Sequence, residues 1–261
     1  MEAVTADDVP TTGSRDVSST FEAYAESIDA ESVDNESSGG EPRFTDWLRR
    51  HAEPTWTAAV DHRFTRELAD GTLDREPFER YLCQDYSFVA ELIGVVGYAV
   101  GQAPDADARR RLVEFLDVIT DDEDDYFRRA FDALDVPQDR WTDPERTQTT
   151  AAFTDHLWRA ATVGGYAETL AVLVPAEWIY REWATADRAS IDRASPWYYS
   201  EWIELHGTDG FVGFVDWLRE QLDVVGPTLS PRREARVERL FHRTVDLEVA
   251  FFDAAYEIER S

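Results

Sequence analysis

Three acidic residues stand at positions where helical spacing otherwise places apolar and aromatic side chains. Residues at i, i+3, i+4 and i+7 share one face of a helix. Burying an unpaired carboxylate costs on the order of several kcal/mol, so a chain that does so three times has a ligand or partner for them. The spacing predicts a pocket of acids and aromatics, suited to a small, flat, nitrogen-rich molecule. The shared faces hold Asp85 with Tyr81, Phe88 and Leu92, Glu177 with Leu173, Val174 and Tyr180, and Glu248 with Val245, Phe251 and Phe252.

If these three acids converge, desolvation and mutual repulsion raise the pKa of at least one of them. A protonated acid beside an ionised one is the arrangement that general acid–base catalysis needs. Each acid also has an ordinary explanation. Glu177 could pair with Arg181 one helical turn away, Glu248 with an arginine of its own helix, and Asp85 with an arginine of a neighbouring helix.

The elements that must position these acids are helices. From Phe44 onward the apolar spacing predicts an all-α chain built as one multihelical bundle. Asp74 is a candidate N-cap, and Pro231 occupies the favoured first position of the last helix. Strict alternation and hairpin signals, which would indicate strands, are missing. The predicted helices span residues 44–52, 56–69, 75–102, 106–134, 147–163, 166–186, 197–205, 209–224 and 230–259.

Residues 1–42 differ in composition from the rest of the chain. They contain eleven acidic residues and one arginine, with Phe21 and Tyr24 as the only aromatic residues. Such a segment buries too little apolar surface to offset the entropy lost on ordering. We therefore expect an acidic disordered tail over residues 1–42 and a helical domain over residues 43–261.

The charge of the chain is strongly negative. Its 26 basic residues, all of them arginine, face 54 acidic ones, for a net charge of −28. This balance speaks to solubility rather than fold, and it indicates a surface adapted to high salt. It disfavours nucleic acid as a partner, because phosphate binding draws on clusters of lysine and arginine. No stretch approaches the roughly 20 apolar residues that span a bilayer, and the start lacks the features of a secretory signal. We expect a cytoplasmic protein without a membrane partner.

Other classes of site find little support in the sequence. A di-metal site on a helical bundle needs Glu-x-x-His spacing, which does not occur. Nothing ranks any of the five histidines as a haem ligand. The single cysteine, Cys83, excludes a disulfide framework and a multi-thiolate zinc site. It lies about 200° around the helix from Asp85 and so points away from the predicted pocket. We expect neither a metal nor a cofactor.

Five sequence blocks, in their order and spacing, resemble the TenA family. The resemblance covers residues 44–258. The blocks are Gly71-Thr-Leu73 followed by Phe78-x-x-Tyr81-x-x-Gln84-Asp85-Tyr86; Thr150-Ala-Ala-Phe-Thr-Asp-His-Leu157; Ala167-Glu-Thr-Leu-Ala-Val-Leu-Val-Pro175; Trp178 with Tyr180; and Glu248-x-x-Phe251-Phe252-x-x-Ala-Tyr256.

The resemblance implies a fold and an activity. The TenA family, also known as thiaminase II or aminopyrimidine aminohydrolase, has the all-α bundle shared with haem oxygenase. Its members are usually homo-oligomers, so a dimer or tetramer is expected here. They salvage thiamin breakdown products, hydrolysing an aminomethyl-pyrimidine to the hydroxymethyl-pyrimidine with release of ammonia.

Carried over to this chain, the resemblance assigns residues to the pyrimidine ring. Asp85 matches the acid that hydrogen-bonds the aminopyrimidine edge. Phe88 and Phe153 stand where many members have tyrosines that contact the ring, and Phe251 packs beside them. We expect these three phenylalanines to sandwich the ring, with Tyr180 as a further binding residue.

Three more positions follow from the resemblance. Glu248 matches the glutamate that moves protons at the exocyclic methylene. His206, followed by Gly207, stands where many members have a tyrosine before two glycines, and we expect it to bind substrate. Glu123 aligns with a recurrent family glutamate, although a solvated acidic run explains it as well.

The chain departs from many family members at Ala176. There, directly after Pro175, they carry a catalytic cysteine. The chain thus resembles a cysteine-less branch linked to aminopyrimidine or formylaminopyrimidine hydrolysis, in which a glutamate is thought to replace the thiol. Glu177 is our candidate, and Glu177 and Glu248 are the predicted catalytic residues. The alternatives are thiaminase activity on thiamin itself, a non-catalytic pyrimidine-binding or regulatory protein, and oxidative chemistry on the same fold.

Overall fold

The computed structural model describes residues 20–34, 41–187 and 195–257. Every regular element in these ranges is helical, which confirms the all-α prediction. The chain divides into two compact units between Pro42 and Arg43. The helices are α1 (Phe21–Asp34), α2 (Phe44–His51), α3 (Thr55–Val60), α4 (Arg63–Ala69), α5 (Arg75–Gln102), α6 (Ala106–Thr120), α7 (Asp122–Ala133), α8 (Asp139–Thr142), α9 (Gln148–Val163), α10 (Tyr166–Asp187), α11 (Trp197–His206), α12 (Asp209–Val225) and α13 (Pro231–Ala254), with a 3₁₀ turn at Gly226–Thr228.

The first unit contains α1, in a segment that we expected to be disordered. That prediction is wrong for Phe21–Asp34. Phe21, Tyr24 and Ile28 recur at helical spacing, and the rings of Phe21 and Tyr24 lie 6.1 Å apart. The acidic composition concealed this short apolar stripe. The rest of the predicted tail, residues 1–19 and 35–40, lies outside the described residues.

In the second unit, α10 forms the centre of the bundle. It packs against α9, α12 and α13, while α5 packs against α6 and α9. The sequence explains the central place of α10, because residues 170–174 are apolar on every side and all of them are buried. Pro175 lies inside this helix and cannot donate a backbone hydrogen bond. The four residues that follow it, 176–179, are all buried.

Two helices that were predicted as continuous are each broken into two. The predicted helix over residues 56–69 consists of α3 and α4, because His62 Nδ1 accepts a hydrogen bond from the Phe64 N–H and caps α4. The predicted helix over residues 106–134 consists of α6 and α7, with Asp121 between them. Four acidic residues fill the first turn of α7, where negative charge is favourable. The acidic run marks a helix start.

Other helix boundaries follow the sequence closely. Pro231 opens α13 as predicted. Asp74 precedes α5, although its side chain makes no capping hydrogen bond. The short helix α8 was not predicted. No described helix is both long and apolar enough to cross a bilayer.

Candidate active site

A small cavity, which we call the acid chamber, collects side chains from five helices of the second unit. Its volume is about 30 Å³. The three acids singled out by helical spacing meet on its walls. The acid chamber is lined by Asp85, Phe88, Val89 and Leu92 of α5, Glu123 of α7, Ala176, Glu177 and Tyr180 of α10, Trp202 and His206 of α11, and Glu248 of α13.

Six of the eight predicted site residues line the acid chamber, and two do not. Phe153 and Phe251 pack against Phe88, with ring centroids 4.7 Å and 5.9 Å from its own. The sandwich of the ring by three phenylalanines remains a prediction, since only Phe88 lines the acid chamber itself. Phe88 lines the acid chamber, and the rings of Phe153 and Phe251 pack against the ring of Phe88. Helical spacing placed Phe88 and Phe251 on apolar faces, and the family resemblance added Phe153, but neither could tell which of them lines the chamber.

The acids of the chamber are buried without cationic partners. Asp85, Glu177 and Glu248 are 4%, 8% and 2% exposed. Within the described part of the chain, none of them forms an ion pair. The salt bridge considered for Glu177 is not formed, because Arg181 Nη1 donates to Asp216 at 2.7 Å. The ordinary explanations of these acids therefore do not apply to this structure.

Burial without partners shifts the acids toward their protonated forms. Burial raises the pKa of Asp85 to about 7, although a hydrogen bond from Tyr81 works against the shift. Burial and then the nearby Asp85 raise the pKa of Glu177 to about 8. Burial, Asp85 and Glu177 hold the pKa of Glu248 well above its usual range. Burial and mutual repulsion therefore favour the protonated forms of these carboxyls.

Two buried polar atoms of the acid chamber lack a hydrogen-bond partner among the described residues. They are the acceptor Asp85 Oδ2 and the donor Trp202 Nε1. Leaving a buried polar group unsatisfied costs about 1–3 kcal/mol. A ligand that donates to Asp85 and accepts from Trp202 would recover that cost. A molecule that carries both kinds of polar group would complement these two atoms.

Two tyrosines connect the chamber wall to Asp85. The hydroxyls of Tyr180 and Tyr81 lie 2.7 Å apart and share a hydrogen bond. Burial, followed by the nearby Asp85, holds the pKa of both phenols well above the usual range. Both hydroxyls stay protonated, and Tyr81 also hydrogen-bonds Asp85. A proton on Tyr180 is thus linked through Tyr81 to the carboxyl group.

His206 is a neutral hydrogen-bond acceptor on the chamber wall. Its Nδ1 lies 2.9 Å from the Trp202 carbonyl oxygen, which can only accept, so Nδ1 carries the proton. Burial lowers the pKa of the imidazole to about 4, although that hydrogen bond works against the shift. The ring is therefore uncharged near neutral pH, and Nε2 keeps its lone pair.

Glu123 and Trp202 are chamber residues to which sequence reasoning gave too little weight. Glu123 belongs to the acidic run at the start of α7, which a solvated surface explained equally well. Tyr126, Phe127 and Ala130, at i+3, i+4 and i+7 from Glu123, are all buried, and that spacing was the available signal. Burial, Asp85 and Glu177 hold the pKa of Glu123 well above its usual range.

A second cavity, the outer cavity, adjoins the acid chamber. Its volume is about 360 Å³. The two share Leu92, Glu123, Glu177 and His206, so these side chains form the border between them. Apart from polar and charged residues at its mouth, the outer cavity has an apolar and aromatic wall, formed by Phe115, Val118, Ile119, Leu205, Phe211 and Phe214.

The largest cavity, of about 720 Å³, lies elsewhere. It shares no lining residue with the acid chamber and is bordered mainly by polar and charged side chains. Cys83 lies on it, as expected for a thiol that points away from Asp85. Burial raises the pKa of this thiol to about 11, so it is not a ready nucleophile. Size alone does not mark the functional site of this protein.

The acids of the chamber do not form a metal-binding set. No group of three or more His, Cys, Asp or Glu side chains in the described ranges is arranged to hold an ion. The chain has one cysteine, and the chamber position after Pro175 is the methyl group of Ala176. The polar groups offered to a ligand are therefore carboxyls, hydroxyls, an indole N–H and an imidazole.

Comparisons with known proteins point to one family. A profile described as the TENA/THI-4/PQQC family matches residues 49–258. The chain is similar to the aminopyrimidine aminohydrolase of Halalkalibacterium halodurans, at 27% identity over 80% of this chain and 93% of that protein. The enzyme of the same name from Bacillus subtilis is 24% identical, over 83% and 91%.

Solved structures agree with these relatives. A TenA homologue from P. horikoshii superposes with a TM-score of 0.73 at 26% identity, covering 82% of this chain and 98% of that one. A TenA homologue from Pyrococcus furiosus gives a TM-score of 0.75 at 24% identity, covering 82% and 100%.

Proposed function

This chain belongs to the TENA/THI-4/PQQC family, and we propose that it hydrolyses an aminomethyl- or formylaminomethyl-pyrimidine, a breakdown product of thiamin, for reuse of the pyrimidine. One observation carries the proposal. Asp85, Glu177 and Glu248 line one chamber, buried and without an ion pair among the described residues. Relatives named aminopyrimidine aminohydrolase support the reaction class.

The chamber's unsatisfied polar atoms suit the edge of an aminopyrimidine. Asp85 Oδ2 can accept a hydrogen bond from the exocyclic amino group, and Trp202 Nε1 can donate to a ring nitrogen. Phe88 and Tyr180 supply apolar wall for the ring. The ring is larger than the acid chamber of about 30 Å³, so it also takes up space at the border with the outer cavity. Its amino edge then points toward Asp85.

Glu177 and Glu248 divide the proton transfers of hydrolysis. Glu248 is the less exposed of the two and its pKa is raised by burial, Asp85 and Glu177, so it gives a proton to the leaving nitrogen. Glu177 lies on the border with the outer cavity, from which water enters, and its ionised form takes a proton from that water. For the free amine, the methylene–nitrogen bond breaks and a methylene–oxygen bond forms, with release of ammonia. For the formylated amine, the bond between nitrogen and the formyl carbon breaks and the water oxygen joins the formyl carbon, so formate leaves and the aminomethyl-pyrimidine remains. No thiol takes part, because Ala176 occupies the position after Pro175.

The setting of this activity follows from composition and family. We propose that the protein works in the cytoplasm of a salt-adapted cell, as a homo-oligomer and without a metal or cofactor. The net charge of −28 and the absence of lysine support the salt-rich setting. Screening by molar salt would also reduce repulsion between such acidic subunits.

The test measures ammonia and formate release from the two pyrimidines in molar KCl. We expect wild-type protein to turn over one of them. Removing a general acid or base typically costs about 10²–10⁴-fold, so Glu248→Gln and Glu177→Gln should lose turnover on that scale. Glu220→Gln, the same change on an exposed face of α12, is the matched control.

The outcomes separate the alternatives. Tight pyrimidine binding without turnover by the wild type would move the protein to the binding class. Near wild-type turnover in both glutamine variants would contradict the assigned roles.

A further inference from the structure

His206 has a fixed orientation on the border between the acid chamber and the outer cavity. It lines both cavities and is 7% exposed. Its ring packs among four aromatic side chains, at centroid distances of 4.4 Å to Trp202, 4.9 Å to Tyr180, 5.1 Å to Phe211 and 5.9 Å to Trp183. These distances are typical of packed aromatic pairs. A ring held on all these sides can hold a small molecule in one orientation.

The second ring nitrogen of His206 can only accept a hydrogen bond. Nδ1 donates to the Trp202 carbonyl oxygen at 2.9 Å, so Nε2 carries a lone pair. Nε2 has no hydrogen-bond partner among the described residues. Many family members have a tyrosine at this position, whose hydroxyl could donate as well as accept. In this chain, a molecule that binds at His206 must bring the hydrogen itself.

The border between the two cavities offers space and partners for a water molecule. The outer cavity of about 360 Å³ leaves room beside a bound ring for water, whose share of liquid volume is about 30 Å³. A buried water typically has about two to four polar partners. Three polar residues lie on this border, namely Glu123, Glu177 and His206. A water that binds there can therefore be held through both of its hydrogens.

We propose that His206 is a catalytic residue that orients the attacking water, because its Nε2 accepts the hydrogen that Glu177 does not remove. The inference rests on the proposed hydrolysis and adds a residue to it. Glu177 takes one proton of the water, the oxygen bonds to the substrate carbon, and Glu248 protonates the leaving nitrogen. The hydrogen held by His206 stays on the oxygen and becomes the hydroxyl hydrogen of the product. His206 itself neither gains nor loses a proton.

Methanol in place of water tests this role, because methanol has a single hydroxyl hydrogen. When Glu177 takes that hydrogen, a methyl group faces Nε2 and no hydrogen bond forms there. Wild-type protein should therefore prefer water to methanol as the attacking molecule. In molar KCl with added methanol, the free amine gives the hydroxymethyl-pyrimidine or its methyl ether, and the formylated amine gives formate or methyl formate. The ratio of these products does not depend on how much of the protein is folded.

Two substitutions of His206 and one matched control make the test specific. His206→Phe keeps a flat ring without the acceptor, so it should shift the product ratio about fivefold toward the methyl product, the effect of one neutral hydrogen bond. His206→Gln keeps an acceptor oxygen and should retain the wild-type ratio. His156→Phe is the control, because His156 Nε2 also lies near a backbone carbonyl oxygen, that of Leu240 at 3.1 Å, but lines neither cavity.

The outcomes separate this inference from the proposed hydrolysis. An unchanged product ratio in His206→Phe, or no methyl product from it, would overturn the inference and leave the hydrolysis standing. An equal shift in His156→Phe would overturn a specific role for His206. No ammonia or formate release by wild-type protein would overturn the proposed hydrolysis itself, and the inference with it.

Discussion

Two buried glutamates in this protein have the same exposure and opposite surroundings. Glu168, at the start of α10, and Glu248, on α13, are each 2% exposed. Glu168 accepts hydrogen bonds from Arg233 at 2.7 Å and 3.1 Å and from the Gly165 N–H at 3.1 Å. Glu248 has no ion pair within the described ranges and faces Asp85 and Glu177 across the acid chamber. Depth of burial therefore does not separate a structural carboxyl from a candidate catalytic one.

The partners of each carboxyl decide its protonation. Burial works to raise the pKa of Glu168, but Arg233 and the Gly165 N–H outweigh it and bring the pKa below its usual value. For Glu248, burial and the neighbouring acids act in the same direction and raise the pKa. The first arrangement stabilises an anion and joins α10 to α13. The second favours the protonated acid, a costly arrangement that suits proton transfer.

The largest expected effect on ligand binding comes from removing the charge of Asp85, which lines the acid chamber and whose Oδ2 has no hydrogen-bond partner among the described residues. Losing a charged hydrogen bond to a ligand costs about 1.5–3 kcal/mol. Asp85→Asn should therefore weaken binding of the aminomethyl-pyrimidine about ten- to a hundredfold, as measured by calorimetry in molar KCl. Unchanged affinity would show that the chamber's acids do not hold the ring.

The carboxyl of Glu168, which is ion-paired with Arg233, should contribute to the stability of the fold. Glu168→Gln removes a charge that Arg233 and the Gly165 N–H bind, so it should lower the free energy of unfolding by about 2 kcal/mol. Because the pKa of Glu168 is lowered on folding, its contribution is present above the usual glutamate pKa. It is lost as pH falls through the folded value. Denaturant unfolding at about pH 8 measures this loss, and a variant as stable as wild type would contradict the comparison.

The contribution of the unpaired carboxyl of Glu177 to stability should depend on pH in the opposite way to that of Glu168. Folding raises the pKa of Glu177 from 4.5 to about 8, so the folded state holds the proton more tightly than the unfolded chain does. Stability should then fall as pH rises between these values. Glu177→Gln removes that loss and should raise the free energy of unfolding by about 4 kcal/mol at about pH 8. It should have little effect at about pH 4, and equal effects at both pH values would rule out this origin.

The smallest expected effect concerns the tyrosine pair. Tyr180→Phe removes the hydroxyl that lies 2.7 Å from that of Tyr81. A neutral hydrogen bond contributes about 1 kcal/mol, so kcat/KM should fall about fivefold. Tyr98→Phe, on the exposed side of α5, is the matched control. A loss as large as that of Glu248→Gln would assign Tyr180 a direct part in proton transfer.

Helical spacing predicted the bundle and the three central acids, because an acid on an apolar face is visible in one helix at a time. Asp85, Glu177 and Glu248 could be recognised without knowing how the helices pack against each other. The same reasoning put Phe88 and Phe251 on apolar faces but could not say which one lines the acid chamber. That distinction depends on distances between helices, which the sequence pattern does not contain.

Glu123 shows a second limit of sequence reasoning. A run of five acidic residues is typical of a solvated surface, and only the break between α6 and α7 turns one of them inward. The apolar spacing of residues 106–134 is continuous, so it does not show that a new helix begins at Asp122. A reading that treats residues 106–134 as one helix gives no reason to separate Glu123 from its neighbours.

The most direct test compares turnover in Glu248→Gln and Glu168→Gln, two variants with the same chemical change at the same depth of burial. Ammonia and formate release are measured with both pyrimidines in molar KCl, on protein confirmed to be folded. We predict that Glu248→Gln folds but loses turnover about a hundredfold or more, whereas Glu168→Gln is less stable but turns over at close to the wild-type rate. Retained turnover in Glu248→Gln, or equal loss in the two variants, would contradict the claim that unpaired carboxyls mark the catalytic site.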